Sequence, residues 1–116
     1  MTQPVIRIDE NSTIQEAIEK MGRARVGSLL VTRTGKDIGI VTERDIISKI
    51  MIRKSALDET IVKGIMSTPL VTTDRNTAGE DALRIMVKHK VRRLPITDKG
   101  EIVGIFTTSD MTKLVP

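Results

Sequence analysis

One short stretch of the sequence occurs twice, and this repetition limits what the chain can fold into. Gly39-Ile40-Val41-Thr42-Glu43-Arg44-Asp45 returns as Gly104-Ile105-Phe106-Thr107-Thr108-Ser109-Asp110, an offset of 65 residues (104 − 39). In each copy a glycine opens an apolar run that is typical of a buried strand, and a threonine follows where a helix would begin. The aspartate comes three residues after the threonine. We therefore predict two strand-to-helix corners, each with Thr and Asp projecting together.

The same offset relates residues along the whole chain without a gap. Each copy predicts the order strand, helix, strand, strand, helix, because apolar residues recur first at strand spacing and then at helical spacing. The first helix follows the capping sequence Asn11-Ser12-Thr13. Identical residues at this offset include Pro4/Pro69, Ala17/Ala82, Met21/Met86, Val26/Val91, Leu29/Leu94, Thr32/Thr97, Gly35/Gly100, Gly39/Gly104, Ile40/Ile105, Thr42/Thr107 and Asp45/Asp110.

These elements predict an α+β fold of two pseudo-twofold-related β-α-β-β-α repeats packed sheet to sheet. We expect repeat 1 at residues 1–55, a linker at 56–65 and repeat 2 at 66–116, together forming one module. A chain of 116 residues can bury a core of this size but is short for two independent domains.

Composition narrows the range of functions. Cysteine is absent and His89 is the single histidine, so a thiolate or histidine metal centre is not expected. The formal net charge of +4 favours anionic partners, but one aromatic residue, Phe106, provides little of the stacking surface that single-stranded nucleic acid needs. No apolar run approaches the roughly 20 residues that cross a bilayer, and no signal-peptide pattern is present. We expect a cytoplasmic protein without a membrane span.

The two motif copies, together with Val91-Arg92-Arg93-Leu94-Pro95-Ile96 and Ile65-Met66-Ser67-Thr68-Pro69, resemble a tandem pair of CBS domains, often called a Bateman module. The resemblance covers residues 5–49 and 70–114. It implies a stand-alone, non-catalytic regulatory module that requires no cofactor. It also implies binding of AMP, ADP, ATP or S-adenosylmethionine in clefts between the repeats, with a conformational change that signals to an effector protein.

The resemblance further implies which residues contact such a ligand. Asp45 and Asp110 would receive the ribose hydroxyls, and Thr42 and Thr107 would support them. A carboxylate suits this task because it can accept hydrogen bonds from two neighbouring hydroxyls. The adenine would contact main chain near the opening strand of the opposite repeat, at Thr68, Leu70 and Val71 in one cleft and at Val5 and Ile6 in the other.

Three arginines are candidates for phosphate contacts. Arg44 precedes Asp45, whereas the second copy has Ser109 at the matching position, so we expect the Asp45 site to bind phosphates more tightly. Arg92 and Arg93 come just before a predicted strand, where the family often places basic side chains. A solvated surface position is an equally good interpretation of each arginine.

The residues alone leave other interpretations open. Either Thr-x-x-Asp copy by itself fits a helix capping box. The basic run from Lys88 to Arg93 fits a solvated helix end, or, with the net charge, a nucleic-acid-binding or scaffold protein. An enzyme that acts on the nucleotide is less consistent with the sequence, because the motif holds no nucleophile-base pair.

The helix predicted after each motif has an apolar face that is too large to remain in water on so small a protein. Part of this face must close the core. CBS pairs commonly join through these helices, so the resemblance implies a homodimer. The residues are Ile46, Ile47, Ile50 and Met51 after the first motif, and Met111, Leu114 and Val115 after the second.

Overall fold

A computed structural model describes residues 4–53 and 56–107. The helix predicted after Thr107, including Asp110, lies outside these ranges. A single 3-10 turn, Val62–Gly64, is formed between the two halves of the described chain. The remaining elements, in order, are β1 (Arg7–Asp9), α1 (Ile14–Ala24), β2 (Ser28–Arg33), β3 (Lys36–Thr42), α2 (Glu43–Arg53), β4 (Thr73–Asp74), α3 (Gly79–His89), β5 (Arg93–Asp98) and β6 (Glu101–Thr107).

The strands form two three-stranded sheets, one in the order β1-β2-β3 and the other in the order β4-β5-β6. In each sheet the first strand is parallel to the second, and the second is antiparallel to the third. The helix between the first two strands provides the crossover that parallel pairing requires. The predicted α+β class with two repeats is therefore confirmed.

The offset of 65 residues found in the sequence also holds for the backbone. A register shift occurs between Val31 and Thr32 in the first sheet and between Ile96 and Thr97 in the second. The hairpin turns Thr34-Gly35 and Lys99-Gly100 both have positive φ at their two central residues, as the tight two-residue hairpin turn demands. The helices α1 and α3 both end on a left-handed residue, Arg25 and Lys90 respectively.

The opening strand of each repeat lies at the end of an apolar run or beyond it. The apolar runs are residues 5–8 and 70–72, whereas the paired residues are Arg7–Asp9 and Thr73–Asp74. The apolar runs indicated burial rather than strand pairing, since Val71 packs against a cluster of buried side chains without belonging to a strand.

The helix α1 begins as its sequence predicts. Thr13 is the N-cap, and its Oγ1 accepts a hydrogen bond from the Glu16 amide at 3.1 Å. The Glu16 carboxylate in turn accepts a bond from the Thr13 amide at 3.1 Å. This reciprocal pair satisfies two amides that the helix itself leaves free.

The segment after α2 supplies the next acceptors for α1. The Ile14 amide donates to the Thr60 carbonyl at 2.8 Å, and the Gln15 amide donates to the Leu57 carbonyl at 3.1 Å. Residues 56–70 therefore pack onto the first repeat. Ile6–Leu70 form one compact unit, and the described residues on either side of that range form the other.

Each unit has its own cluster of buried side chains. The cluster in Ile6–Leu70 includes Ile46 and Ile50 from α2, so these two residues of the predicted dimer face belong to the core. Ile47, between them, is 62% exposed. The side chains of Met51, Met111, Leu114 and Val115 lie outside what the structure describes. The second cluster is built on Ala82, Met86 and Leu94.

An ion pair occupies the same place in both repeats, with the charges exchanged. Arg33 donates to the buried Glu10 carboxylate through Nε at 2.7 Å and through Nη2 at 3.0 Å. At the matching positions, Arg75 donates to Asp98 at 3.1 Å. The hydrogen bonds from Arg33 hold the pKa of Glu10 below its usual range, and the charge of Arg33 acts in the same direction.

Candidate functional site

The first motif copy forms the predicted corner where β3 passes into α2. Thr42 ends β3, and its Oγ1 accepts a hydrogen bond from the Asp45 amide at 3.1 Å. The Asp45 Oδ2 accepts bonds from the Thr42 amide and the Thr42 hydroxyl, both at 3.0 Å. Thr42 and Asp45 are thus a capping box, and the same contacts fix the carboxylate beside the first turn of α2.

The second oxygen of this carboxylate faces a residue that the sequence analysis did not single out. Lys49 Nζ lies 3.8 Å from Asp45 Oδ1 and donates a hydrogen bond to the Ile65 carbonyl at 2.8 Å. The Asp45 side chain is 18% exposed and the Lys49 side chain 37%. The spacing of four residues along a predicted helix was the one available signal for this pair.

The inter-repeat segment lies directly against the glycine of the first motif. Ile40 donates to the Ser67 carbonyl at 3.1 Å and accepts from the Ser67 amide at 2.8 Å, so residue 67 pairs with β3 on the side away from β2. A Cβ on Gly39 would stand 2.7 Å from the Ser67 carbonyl oxygen and 2.9 Å from Thr68 Cγ2. The motif therefore needs glycine here to let residues 67 and 68 approach.

Several predicted ligand residues belong to the same compact unit as this corner. Thr68 is exposed and adjoins Gly39, while Leu70 is half-buried. Ile6 is half-buried, and its carbonyl accepts a hydrogen bond from the Leu30 amide at 2.9 Å. Arg44 is exposed at the start of α2.

The remaining adenine candidates, Val5 and Val71, are half-buried and belong to the other unit. Val71 packs against the core cluster of that unit. Its side chain is therefore engaged in packing, which leaves its main chain as the group that fits the predicted role.

The second motif copy is described as far as Thr107, which is buried at the end of β6. Arg93 pairs with Thr107 across β5 and β6, just as Ser28 pairs with Thr42 in the first sheet. Directly opposed residues of an antiparallel pair share one face of the sheet. The register therefore brings Arg93, but not the exposed Arg92, beside the second threonine.

The guanidinium group of Arg93 also has an unusual hydrogen-bonding environment. Its Nε is buried and has no hydrogen-bond partner within residues 4–53 and 56–107. A buried donor of this kind costs about 1–3 kcal/mol unless it is satisfied. Asp110 of the second motif lies outside the described residues, so its role in binding ribose stays a prediction.

Two kinds of feature are absent from the part of the chain that the structure describes. No group of three or more His, Cys, Asp or Glu side chains is arranged to hold a metal ion. None of the helices in these residues combines the length and apolarity needed to cross a membrane.

The duplicated strand, helix, strand, strand unit with a threonine at each corner defines a class of tandem-repeat α+β modules. A family model described as CBS domain matches residues 1–52 and 62–116, so the chain belongs to the CBS-domain family. The predicted family is thereby confirmed. Proteins of this family generally serve as regulatory modules.

Individual relatives support the same assignment. The chain is 39% identical to the CBS domain-containing protein YhcV of Bacillus subtilis, over 96% of this chain and 79% of YhcV. It is 35% identical to an uncharacterized protein of Methanopyrus kandleri, over 97% of this chain and 58% of that protein. The chain thus spans little more than half of the second relative.

Solved structures agree with the fold. An uncharacterized conserved protein from Pyrococcus horikoshii superimposes with a TM-score of 0.87 at 34% identity, covering 98% of this chain and 86% of that one. The hexameric CBS-CP12 protein from bloom-forming cyanobacteria gives a TM-score of 0.87 at 28% identity, covering 97% of this chain and 66% of that one.

Proposed function

We propose that this chain is a non-catalytic regulatory module that binds an adenosine-containing ligand and signals to a partner protein by a conformational change. The ligand is AMP, ADP, ATP or S-adenosylmethionine, and no other cofactor is required. Ligand binding shifts the conformation only to the extent that the two conformations differ in affinity for it. The module acts in the cytoplasm.

The observation that carries this proposal is the fixed carboxylate of Asp45. Thr42 holds one carboxylate oxygen through two hydrogen bonds, so the group does not have to be ordered when a ligand arrives. A carboxylate accepts bonds from two vicinal hydroxyls, which matches the edge of a ribose. The adjacent start of α2 offers the positive potential of a helix N-terminus to phosphate.

Phosphate binding is assigned to Arg44, Arg92 and Arg93. Arg44 is exposed one residue before Asp45 and is free to reach a phosphate beside that corner. Arg93 opposes Thr107, and its buried Nε has no hydrogen-bond partner among the described residues, which supports its role more strongly than that of Arg92. We propose that Asp110 receives the ribose of a second ligand, and that the Asp45 site binds phosphates more tightly.

Calorimetric titration with AMP, ADP, ATP and S-adenosylmethionine tests the proposal. Asp45→Ala should weaken binding at the first site at least about tenfold, because a hydrogen bond to a charged group is lost. Asp81→Ala is the matched control, since Asp81 is an exposed aspartate in the first turn of α3. A wild-type protein that binds none of the four ligands would overturn the proposal. If Asp110→Ala abolishes binding while Asp45→Ala leaves the affinity unchanged, the order of the two sites in phosphate affinity is the reverse of the one proposed.

A second candidate function rests on the basic end of α3. Lys88, His89, Lys90 and Arg92 are all exposed, so the C-terminal end of α3 and the residues after it have a basic surface. This surface fits a nucleic-acid-binding or scaffold protein. Retention of DNA or RNA that falls steeply with salt, is weakened by Lys88→Gln with Lys90→Gln, and occurs without adenosine binding would favour this candidate.

A further inference from the structure

We propose that Lys49 is a positioning residue that sets the affinity of the Asp45 corner for ribose by tying the Asp45 carboxylate to the inter-repeat segment. This inference rests on the proposed function and names a residue that the motif does not contain. Every group involved lies within the compact unit Ile6–Leu70.

The first step is the placement of the Lys49 ammonium. Its 2.8 Å hydrogen bond to the Ile65 carbonyl is the shorter of its two contacts and fixes the end of a long, flexible side chain. The 3.8 Å approach to Asp45 Oδ1 is then an ion pair along one face of α2, at a spacing of four residues. The ammonium thereby lies near Oδ1, the carboxylate oxygen to which Thr42 does not donate.

The second step concerns the orientation of the carboxylate. Thr42 restrains Oδ2 through its amide and hydroxyl, and Lys49 restrains the rotation that would turn Oδ1 away. Two ribose hydroxyls bond most favourably to a carboxylate whose oxygens already keep a defined direction. A pre-ordered acceptor loses less entropy on binding than a mobile one.

The third step connects the corner to the inter-repeat segment. Ile65 is two residues before Ser67, which exchanges two hydrogen bonds with Ile40, and three before Thr68, which touches Gly39. The bond from Lys49 to Ile65 therefore holds the ribose acceptor and the Thr68 segment at a fixed separation. A ligand that contacts both would bind a preformed arrangement.

Lys49 also distinguishes the two motif copies. At the offset of 65 residues, Lys49 corresponds to Leu114, which carries no charge and no donor. The positioning role therefore applies to the Asp45 site alone, and substitution of Lys49 should leave a second site unaffected.

The experiment measures binding of adenosine, AMP and ATP to Lys49→Met and Lys49→Arg by calorimetry. Methionine keeps the length of the side chain but removes its charge and donors. If Lys49 acts through Asp45, Lys49→Met weakens all three ligands by the same factor, roughly three- to tenfold. Lys49→Arg keeps most of the affinity, because arginine retains the positive charge and the hydrogen-bond donors. In an Asp45→Asn background, Lys49→Met has no further effect.

Lys20→Met is the matched control, since Lys20 is exposed on α1. Thermal unfolding of each variant separates loss of folding from loss of binding. If Lys49→Met is unfolded, Lys49→Gln replaces it, because glutamine removes the charge but keeps a polar side chain, and the same uniform loss of affinity is expected. If the affinity for adenosine is unchanged and the loss of affinity grows with the number of phosphates, Lys49 contacts phosphate directly and the inference is overturned. Unchanged affinity for all three ligands would overturn it equally. A wild-type protein that binds none of AMP, ADP, ATP and S-adenosylmethionine would instead remove the proposed function itself.

Discussion

Gly39 opens the first motif copy, and the structure supplies a steric reason for glycine at this position. The carbonyl oxygen of Ser67 would stand 2.7 Å from a Cβ there, and this oxygen belongs to the backbone. It also accepts the hydrogen bond from Ile40, so it cannot retreat without breaking that bond. The requirement comes from a close approach of two chain segments.

We expect Gly39→Ala to lower the free energy of unfolding by about 1–3 kcal/mol, the usual range for overpacking. Gly22→Ala is the matched control, because Gly22 lies in α1 with open space around its missing Cβ. That change should raise the free energy of unfolding by roughly 0.5–1 kcal/mol, since alanine favours the helix. Urea denaturation of both variants provides the measurement. Equal midpoints for Gly39→Ala and wild type would contradict the close approach.

At the level of strands and helices, one ion pair in each repeat distinguishes two repeats whose backbone arrangement is otherwise the same. Glu10 with Arg33 and Arg75 with Asp98 each join the turn after an opening strand to the end of the next strand. The acid comes first in one repeat and the base first in the other. An opening strand placed on the wrong sheet would therefore bring two like charges together, which is unfavourable.

The lowered pKa of Glu10 predicts how acid affects stability. A carboxyl group with a lower pKa in the folded chain contributes stability above its usual value of 4.5, and this contribution is lost as pH falls through the folded pKa. Glu10→Gln should therefore unfold at lower urea than wild type at neutral pH. The difference should shrink as pH falls below 4.5.

Urea midpoints from neutral pH to about pH 3 measure this effect. Glu19→Gln serves as the control, because Glu19 is exposed and accepts a hydrogen bond from the neutral side chain of Gln15. Its urea midpoint should differ from that of the wild type by the same small amount at every pH. A constant difference between Glu10→Gln and wild type would show that the ion pair does not cause the pH dependence.

Local patterns predicted these elements better than they predicted the contacts between them. The helix start at Thr13, both hairpins and the Thr42–Asp45 corner follow from spacing and capping chemistry that act over a few residues. The bonds from Lys49 to Ile65 and from Ser67 to Ile40 join residues far apart in sequence. No periodicity encodes them, because they depend on how the segment after α2 folds back.

At the scale of the whole molecule, the part of α2 that is left for the predicted dimer contact is smaller than the sequence indicated. Ile46 and Ile50 are buried in the core of the unit Ile6–Leu70, and Ile47 is the large apolar side chain of α2 that the structure describes as exposed. The homodimer through α2 and the helix after the second motif stays a proposal. The hexameric CBS-CP12 protein provides an oligomeric precedent for the fold.

If the chain is a homodimer through α2, Ile47→Glu should give a monomer, because a charge placed in an apolar contact loses its hydration. Leu83→Glu is the control, since Leu83 is 39% exposed on α3, a helix that is not part of the proposed interface. Multi-angle light scattering at micromolar concentration distinguishes the species. A monomeric wild type, or a dimeric Ile47→Glu variant, would exclude this interface.

The packing of residues 56–70 on the first repeat determines where the chain can be divided. A fragment that stopped at residue 55 would expose the amides of Ile14 and Gln15, which bond to Thr60 and Leu57. It would also leave Lys49 without its carbonyl acceptor and the outer edge of β3 unpaired. An expression boundary placed after Leu70 retains all of these bonds, and with them the complete first corner.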